Sequence, residues 1–261
     1  MRSLDVLKPR RLSLVLFLAH LLQPRLRQAG GFTLIELAIV LFVLTLMLAS
    51  LLVPLGIQVD QRNISDTQKK LDEIKEALIG YAASQTPPHL PCPDVTSGAG
   101  ANDGQEDFNA GTGVCNAQEG NIPWVTLGVA PYDSWGNRIH YSVSAAFSNR
   151  PPGATMSLSS IGTLTICAAA GCTLATAIGI NVPAVILSYG KNGYGAINSA
   201  TNALNPAPAS ADEVENTNAD TKFVSRTQTD VNSPAGEFDD IVVWLSGNVL
   251  FNRMVTARKL P

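Results

Sequence analysis

From Leu37 to Ile57 the chain reads LAIVLFVLTLMLASLLVPLGI without one ionisable group, and this run constrains the fold more than any other feature. At 1.5 Å per residue, about 20 apolar residues span the hydrocarbon core of a bilayer, so the run is predicted to be a transmembrane helix. Before it, Arg2, Lys8, Arg10, Arg11, Arg25 and Arg27 face a single acid, Asp5. The positive-inside rule keeps that basic stretch in the cytoplasm and sends everything after Gln58 to the other side. A second apolar run, Leu12 to Leu22, is too short to span. It reads as a secretory h-region, an interfacial segment or, preferably, the product of an upstream start with initiation near Leu26.

Beyond Pro54, which removes a backbone hydrogen bond and bends or loosens the helix, apolar residues recur at steps of three, four and seven. They are Ile57, Ile64, Leu71, Ile74, Leu78 and Tyr81, with Asp66, Lys69, Lys70, Asp72, Glu73, Lys75 and Glu76 on the other faces. That spacing predicts one helix that turns amphipathic and lays its stripe on a globular head. Thr86-Pro87-Pro88 ends it.

Glu36 sits one residue before the uncharged run. A carboxylate near a helix centre costs about 2.5–3.5 kcal/mol to insert, less near an interface, so an acid here asks for a partner. The string around it is Gly30-Gly31-Phe32-Thr33-Leu34-Ile35-Glu36-Leu37, which resembles the prepilin cleavage motif of the type IV pilins and type II secretion pseudopilins. The resemblance implies an inner-membrane prepilin peptidase that cuts between Gly31 and Phe32 and N-methylates Phe32. It implies that Glu36 pairs with the terminal amine of a neighbouring pilin or pseudopilin subunit, since neither charge is tolerable alone in a low-dielectric bundle. An inner-membrane assembly platform is the further partner. The expected fold is therefore α+β and pilin-like, a long N-terminal helix packed on a small antiparallel β-sheet head with long loops. The expected divisions are a leader 1–31, a transmembrane and assembly helix 32–57, an amphipathic continuation 58–86 and a periplasmic head 87–261.

Cleavage after Gly31 would leave 12 Lys and Arg against 20 Asp and Glu, a charge near −8, which repels phosphate backbones; no nucleic-acid partner is expected. Cys92, Cys115, Cys167 and Cys172 all follow the uncharged run. In an oxidising compartment they read as two disulfides, sequence order favouring Cys92 with Cys115 and Cys167 with Cys172, and a four-thiolate zinc site as the alternative.

Turn residues surround the first cysteine pair, so an irregular loop is expected there. Strands are predicted at Arg138–Val143, Met156–Ser159, Leu164–Ala168, Ala184–Ser188 and Asp240–Leu245, and the Asn-rich stretch 197–232 reads as a long exposed loop. Asp133-Ser134-Trp135-Gly136-Asn137 resembles the D-x-W-G-N turn of the major pseudopilins, with Trp135 a core anchor. Leu187 to Gly193 and Phe238-Asp239-Asp240-Ile241 resemble the two sides of the loop that binds calcium in those proteins, although the segment between them is longer here. Calcium requires six to eight oxygens. Asp239 and Asp240 are the candidate ligands, with Asp94, Asp103, Glu106 and Asp107 as a second acidic group and a plain solvated loop as the alternative for each.

No catalytic string accompanies His20, His89 or His140, and no enzyme is expected. Two functions from different classes remain: a filament subunit of a type II secretion pseudopilus or type IV pilus, and a signal-anchored periplasmic binding or adhesion domain that never polymerises.

Overall fold

A computed structural model describes residues 31–98, 100–151 and 156–260, with residues 49–55 described in their backbone alone. Residues 1–30 of the expected leader, its apolar run and the Pro54 side chain lie outside the described residues. The chain divides into two units, one up to Leu55 and one from Gly56 onward.

In the first unit, helix α1 (Leu34–Ser84) begins. Its start is locally encoded. Thr33 Oγ1 accepts from the Glu36 amide at 3.2 Å while the Glu36 carboxylate accepts from the Thr33 amide and hydroxyl at 2.9 Å each, a reciprocal capping box that satisfies otherwise orphaned donors. From Leu34 to Leu48 every side chain is exposed. Among the described residues no helix is long and apolar enough to cross a membrane; residues 49–55, inside the uncharged run, are those known by backbone only.

In the second unit, α1 buries the stripe expected of it: Leu71, Ile74 and Leu78 are at most 1% exposed and Ile64 packs against the same core. Ile57 is 60% exposed and takes no part. The helix stops at Ser84, and Lys259 Nζ donates to the Gln85 carbonyl at 3.0 Å and to Thr86 Oγ1 at 3.1 Å, so a cation from the far end of the chain covers the helix C-terminus.

The disulfide loop follows, with β1 (Phe108–Asn109) paired to β2 (Val114–Cys115). Next come β3 (Glu119–Asn121), the short α2 (Trp124–Leu127), β4 (His140–Val143) and α3 (Ala145–Ser148). The remaining elements are β5 (Leu164–Cys167), β6 (Gly179–Val182), β7 (Ala184–Ser188), α4 (Ala211–Thr217), β8 (Lys222–Val224), β9 (Ile241–Leu245) and α5 (Gly247–Thr256). The main sheet is antiparallel in the order β3-β4-β7-β9. Its inner face, with Tyr141, Val143, Ile186 and Leu245, packs on the α1 stripe, and Leu250 and Met254 of α5 join that core.

A second sheet in the order β6-β5-β8 covers the outer face. Leu164, Ile166 and Phe223 pack there on Val185 and Leu187. This explains why β7 reads AVILS with no alternation: all five residues are buried, because both faces of the strand are covered.

Three expectations are corrected. Met156–Ser159 is not a strand; Ser157 and Ser160 instead close a turn through the Ser160 amide to Ser157 carbonyl bond at 3.0 Å and the Ser157 amide to Ser160 Oγ bond at 3.0 Å, the local competition with sheet pairing that serine offers. The stretch 197–232 is not one exposed loop, since it contains α4 and β8 and buries Asp212, Glu213, Asn216, Phe223 and Val224. Finally, β8 pairs with β5 in parallel, so the head is not wholly antiparallel. Long-range pairing recruited a strand of only three residues, too short to show a burial period of its own.

Candidate functional site

Glu213, Asp239 and Asp240 place carboxylate oxygens within 4.8 Å of one another. Asp239 and Asp240 end the loop that feeds β9, and Glu213 projects from the first turn of α4. Asn216, one turn further along α4 and 1% exposed, locks the arrangement. Its Nδ2 donates to Asp240 Oδ2 at 2.7 Å and to the Val224 carbonyl at 3.1 Å, while its Oδ1 accepts from the Val224 amide at 2.6 Å. One side chain thus ties the acidic loop, the helix and β8 together.

Asp239 accepts from the Asn192 amide at 2.7 Å, and Asn192 Nδ2 donates to Glu213 Oε1 at 3.1 Å. Glu213 Oε1 also accepts from the Asp239 amide at 3.2 Å. The loop carrying Asn192 passes so close that a Cβ on Gly190, whose φ is +61°, would lie 2.3 Å from the Asp239 carbonyl oxygen. Only glycine fits there.

Burial and neighbouring acids push these carboxyls up: Asp239 to about 6 by desolvation, then by Glu213 and Glu237, Asp240 well above its usual range, and Glu213 in the same direction, each led by desolvation. Arg226, which acts on Glu213 electrostatically, is ion-paired through Nε to Asp212 at 2.6 Å, and Lys191 is paired to Asp60 at 2.7 Å. Asp239 Oδ1 is buried with no hydrogen-bond partner. An orphaned buried oxygen amid three crowded carboxylates fits a hard cation such as calcium, which takes oxygen ligands; protons are the alternative occupant.

Sequence reasoning named Asp239 and Asp240 and missed Glu213. A weak signal was present, because Ser210 followed by Asp212 and Glu213 has the acidic first turn of a helix start. The second acidic group does not converge. Glu106 pairs with Arg150 at 3.1 and 3.2 Å and accepts from Tyr81 Oη at 2.9 Å. Asp103, Asp107 and Asp94 are engaged by the Gln105 amide, the Val95 amide and Asn121 Nδ2 respectively.

Cys92 is bonded to Cys115 and Cys167 to Cys172, which leaves no free thiol for zinc among the described residues. Asp133 is the core of the D-x-W-G-N turn: its Oδ1 accepts from the Trp135 and Asn137 amides at 2.9 Å and its Oδ2 from Ser188 Oγ at 2.7 Å. Trp135 packs half-buried against the helix-side core. At the other end of the chain, Gly31 and Phe32 precede α1 in the open, Phe32 81% exposed, and Glu36 is exposed within the capping box.

Comparison with protein families, curated proteins and solved structures returns no match. The functional reading therefore stands on the residues and their geometry.

Proposed function

We propose that this chain is a pilin-like filament subunit, cut between Gly31 and Phe32 by prepilin peptidase, methylated at Phe32 and assembled through α1 into a type II secretion pseudopilus or a type IV pilus. The Trp135 turn and the Asp239-Asp240 segment favour the pseudopilus. The observation that carries the reading is the Gly31-Phe32 junction set directly before a helix whose residues from Leu34 to Ile57 contain one charge, Glu36. The apolar side chains of Leu34 to Leu48 are exposed around the whole helix, and lipid or neighbouring copies of the same helix would cover them. Glu36 would then exchange part of its bonding to Thr33 for the terminal amine of a neighbour. The head would face the periplasm or exterior with two disulfides and a structural cation at Asp239, Asp240 and Glu213. Catalysis is performed on this chain, not by it.

The capping box favours a second reading, since it gives Glu36 a role within one chain: an anchored periplasmic domain that does not polymerise. Glu36→Gln separates the two. Glutamine retains the cap geometry but loses the charge, so α1 and the head stay folded in both readings. The filament reading expects a methylated Phe32 terminus by intact-mass and terminal-peptide mass spectrometry, and loss of filaments in Glu36→Gln. An uncut chain in the presence of active peptidase, or filaments unaffected by Glu36→Gln, overturns it in favour of the anchored domain.

A further inference from the structure

The outer face of β3 and β4 carries a second constellation, remote in sequence from the acidic triad. Tyr141 points into the helix-side core, so by the two-residue period of a strand His140 and Ser142 face the other way. The register pairs Glu119 with Ser142 and Asn121 with His140, which places Glu119 and Asn121 on that same outer face. Ile139 is fully buried on the core side, and Arg138 therefore joins the outer set. Glu119, Asn121, Arg138 and His140 line a cavity of about 170 Å³, with Tyr189, Ile197 and Leu204 among its other walls.

Three of its polar groups have unspent bonding capacity. Arg138 Nε is buried without a hydrogen-bond partner. Its guanidinium is held in place by the Trp124 ring at 4.0 Å and by a 3.1 Å bond from Nη2 to Asn202 Oδ1, and it makes no ion pair among the described residues. The Glu119 carboxylate and the His140 ring likewise receive no hydrogen bond from the described residues. The bland account of a polar cavity is water, which needs two to four partners; water does not require a cation at one end and an acid at the other. Asp220 adds negative charge near Glu119, and burial raises the Glu119 carboxyl. A ligand ammonium would relieve both. Desolvation likewise makes the Arg138 charge costlier to hold, with Asp94 its main electrostatic support, and a ligand carboxylate would offset that cost. Burial holds His140 near 4, hence neutral at physiological pH, so it serves as a hydrogen-bonding wall rather than a second cation.

We propose that this cleft binds a small zwitterion, a free α-amino acid with an apolar side chain: its ammonium on Glu119, its carboxylate on Arg138, and its side chain against Ile197 and Leu204. The size agrees, because pockets for drug-sized ligands run about 300–1,000 Å³ and this one is about 170 Å³. The proposal is independent of filament assembly.

The test is isothermal titration calorimetry of the full chain in detergent micelles with L-leucine, alongside 4-methylpentanoate, which lacks the ammonium, 3-methylbutylamine, which lacks the carboxylate, and methyl α-glucoside as an uncharged polyol. Saturable binding of L-leucine is expected, with each of the other three at least about tenfold weaker. Glu119→Gln keeps the shape of a side chain that has no protein partner and should weaken L-leucine about tenfold without lowering the melting temperature; Arg138→Gln should weaken it likewise, with some loss of stability because the Trp124 and Asn202 contacts go with the guanidinium. Should Arg138→Gln fail to fold, Glu119→Gln and the analogue series still decide. Absence of saturable L-leucine binding overturns the proposal, as does equal binding of either singly charged analogue, preference for the glucoside, or unchanged affinity in Glu119→Gln.

Discussion

Three carboxylates within 4.8 Å make the acidic triad respond to protons and to calcium in opposite directions, and that opposition gives the sharpest test of the site. Without cation, the folded Asp239 carboxyl titrates at about 6 instead of 3.8. The folded chain therefore holds a proton through that window which the unfolded chain has released. The sign follows from linkage: this contribution to stability is full below about 3.8 and is lost as pH rises through about 6. The displacement is worth about 3 kcal/mol at about 1.4 kcal/mol per pH unit, and partial solvent access to Asp239 reduces it to roughly 2 kcal/mol. For a head of this size, about 2–4 °C accompany each kcal/mol, and about half of the titration window lies above pH 5, so the cation-free form should melt roughly 2–4 °C lower at about pH 7.5 than at about pH 5 on account of Asp239 alone. Calcium should reverse this, because the ionised cluster is the form that ligates; at a hundredfold excess over Kd, binding adds about 2.7 kcal/mol.

Other groups titrate in the same range. Burial raises Asp94 to about 6 and lowers His140 to about 4, and their pH effects have opposite signs. The triad is isolated by comparison with Asp240→Asn, whose side-chain oxygen still accepts from Asn216. The assay is thermal unfolding of the full chain in micelles by circular dichroism, with calcium or with chelator, at both pH values. Asp240→Asn should melt higher than the parent in chelator at about pH 7.5 and should lose the calcium response. If calcium leaves the parent unchanged at that pH and Asp240→Asn melts lower than the parent in chelator, both the cation site and the repulsion argument fail.

Other perturbations probe the scaffold. Asn216→Ala removes the tie among Asp240, Val224 and α4 and leaves buried groups unpaired, so a loss of about 2–4 kcal/mol is expected in denaturant unfolding. Arg150→Ala strands Glu106, which is largely enclosed beside Tyr81 and the Cys92 amide, and should cost about 3–5 kcal/mol by the same measurement. The two disulfides should differ by loop length: their sequence separations are 23 and 5 residues, so replacing Cys92 and Cys115 by Ser should cost about 3 kcal/mol and replacing Cys167 and Cys172 about 2 kcal/mol. Ile74→Ala, in the fully buried stripe of α1, should cost about 2–5 kcal/mol, whereas Ile57→Ala should leave head stability within about 0.5 kcal/mol.

The amino-acid sequence alone determined what depends on near neighbours. The uncharged run, the 3.6-residue stripe through Leu71, Ile74 and Leu78, the strand Ala184–Ser188 and the Asp133 turn all show a pattern within a few residues, where periodicity and turn chemistry can be read directly. The closeness of Cys167 to Cys172 is of the same kind. The tertiary structure alone decided what depends on distant segments meeting. Glu213 reaches Asp239 across 26 residues, and β8 exists as a strand because β5 lies beside it, since the three residues Lys222-Phe223-Val224 are too few to show a strand period. The second sheet, in turn, determines that β7 is covered on both faces, and the segment carrying Tyr189, Ile197 and Leu204 determines that Glu119, Arg138 and His140 line a cavity instead of open surface. The physical reason is common to all of these. A short segment has no burial pattern of its own, and its conformation is set by hydrogen bonds and apolar surface that partners far along the chain supply only once the chain has folded.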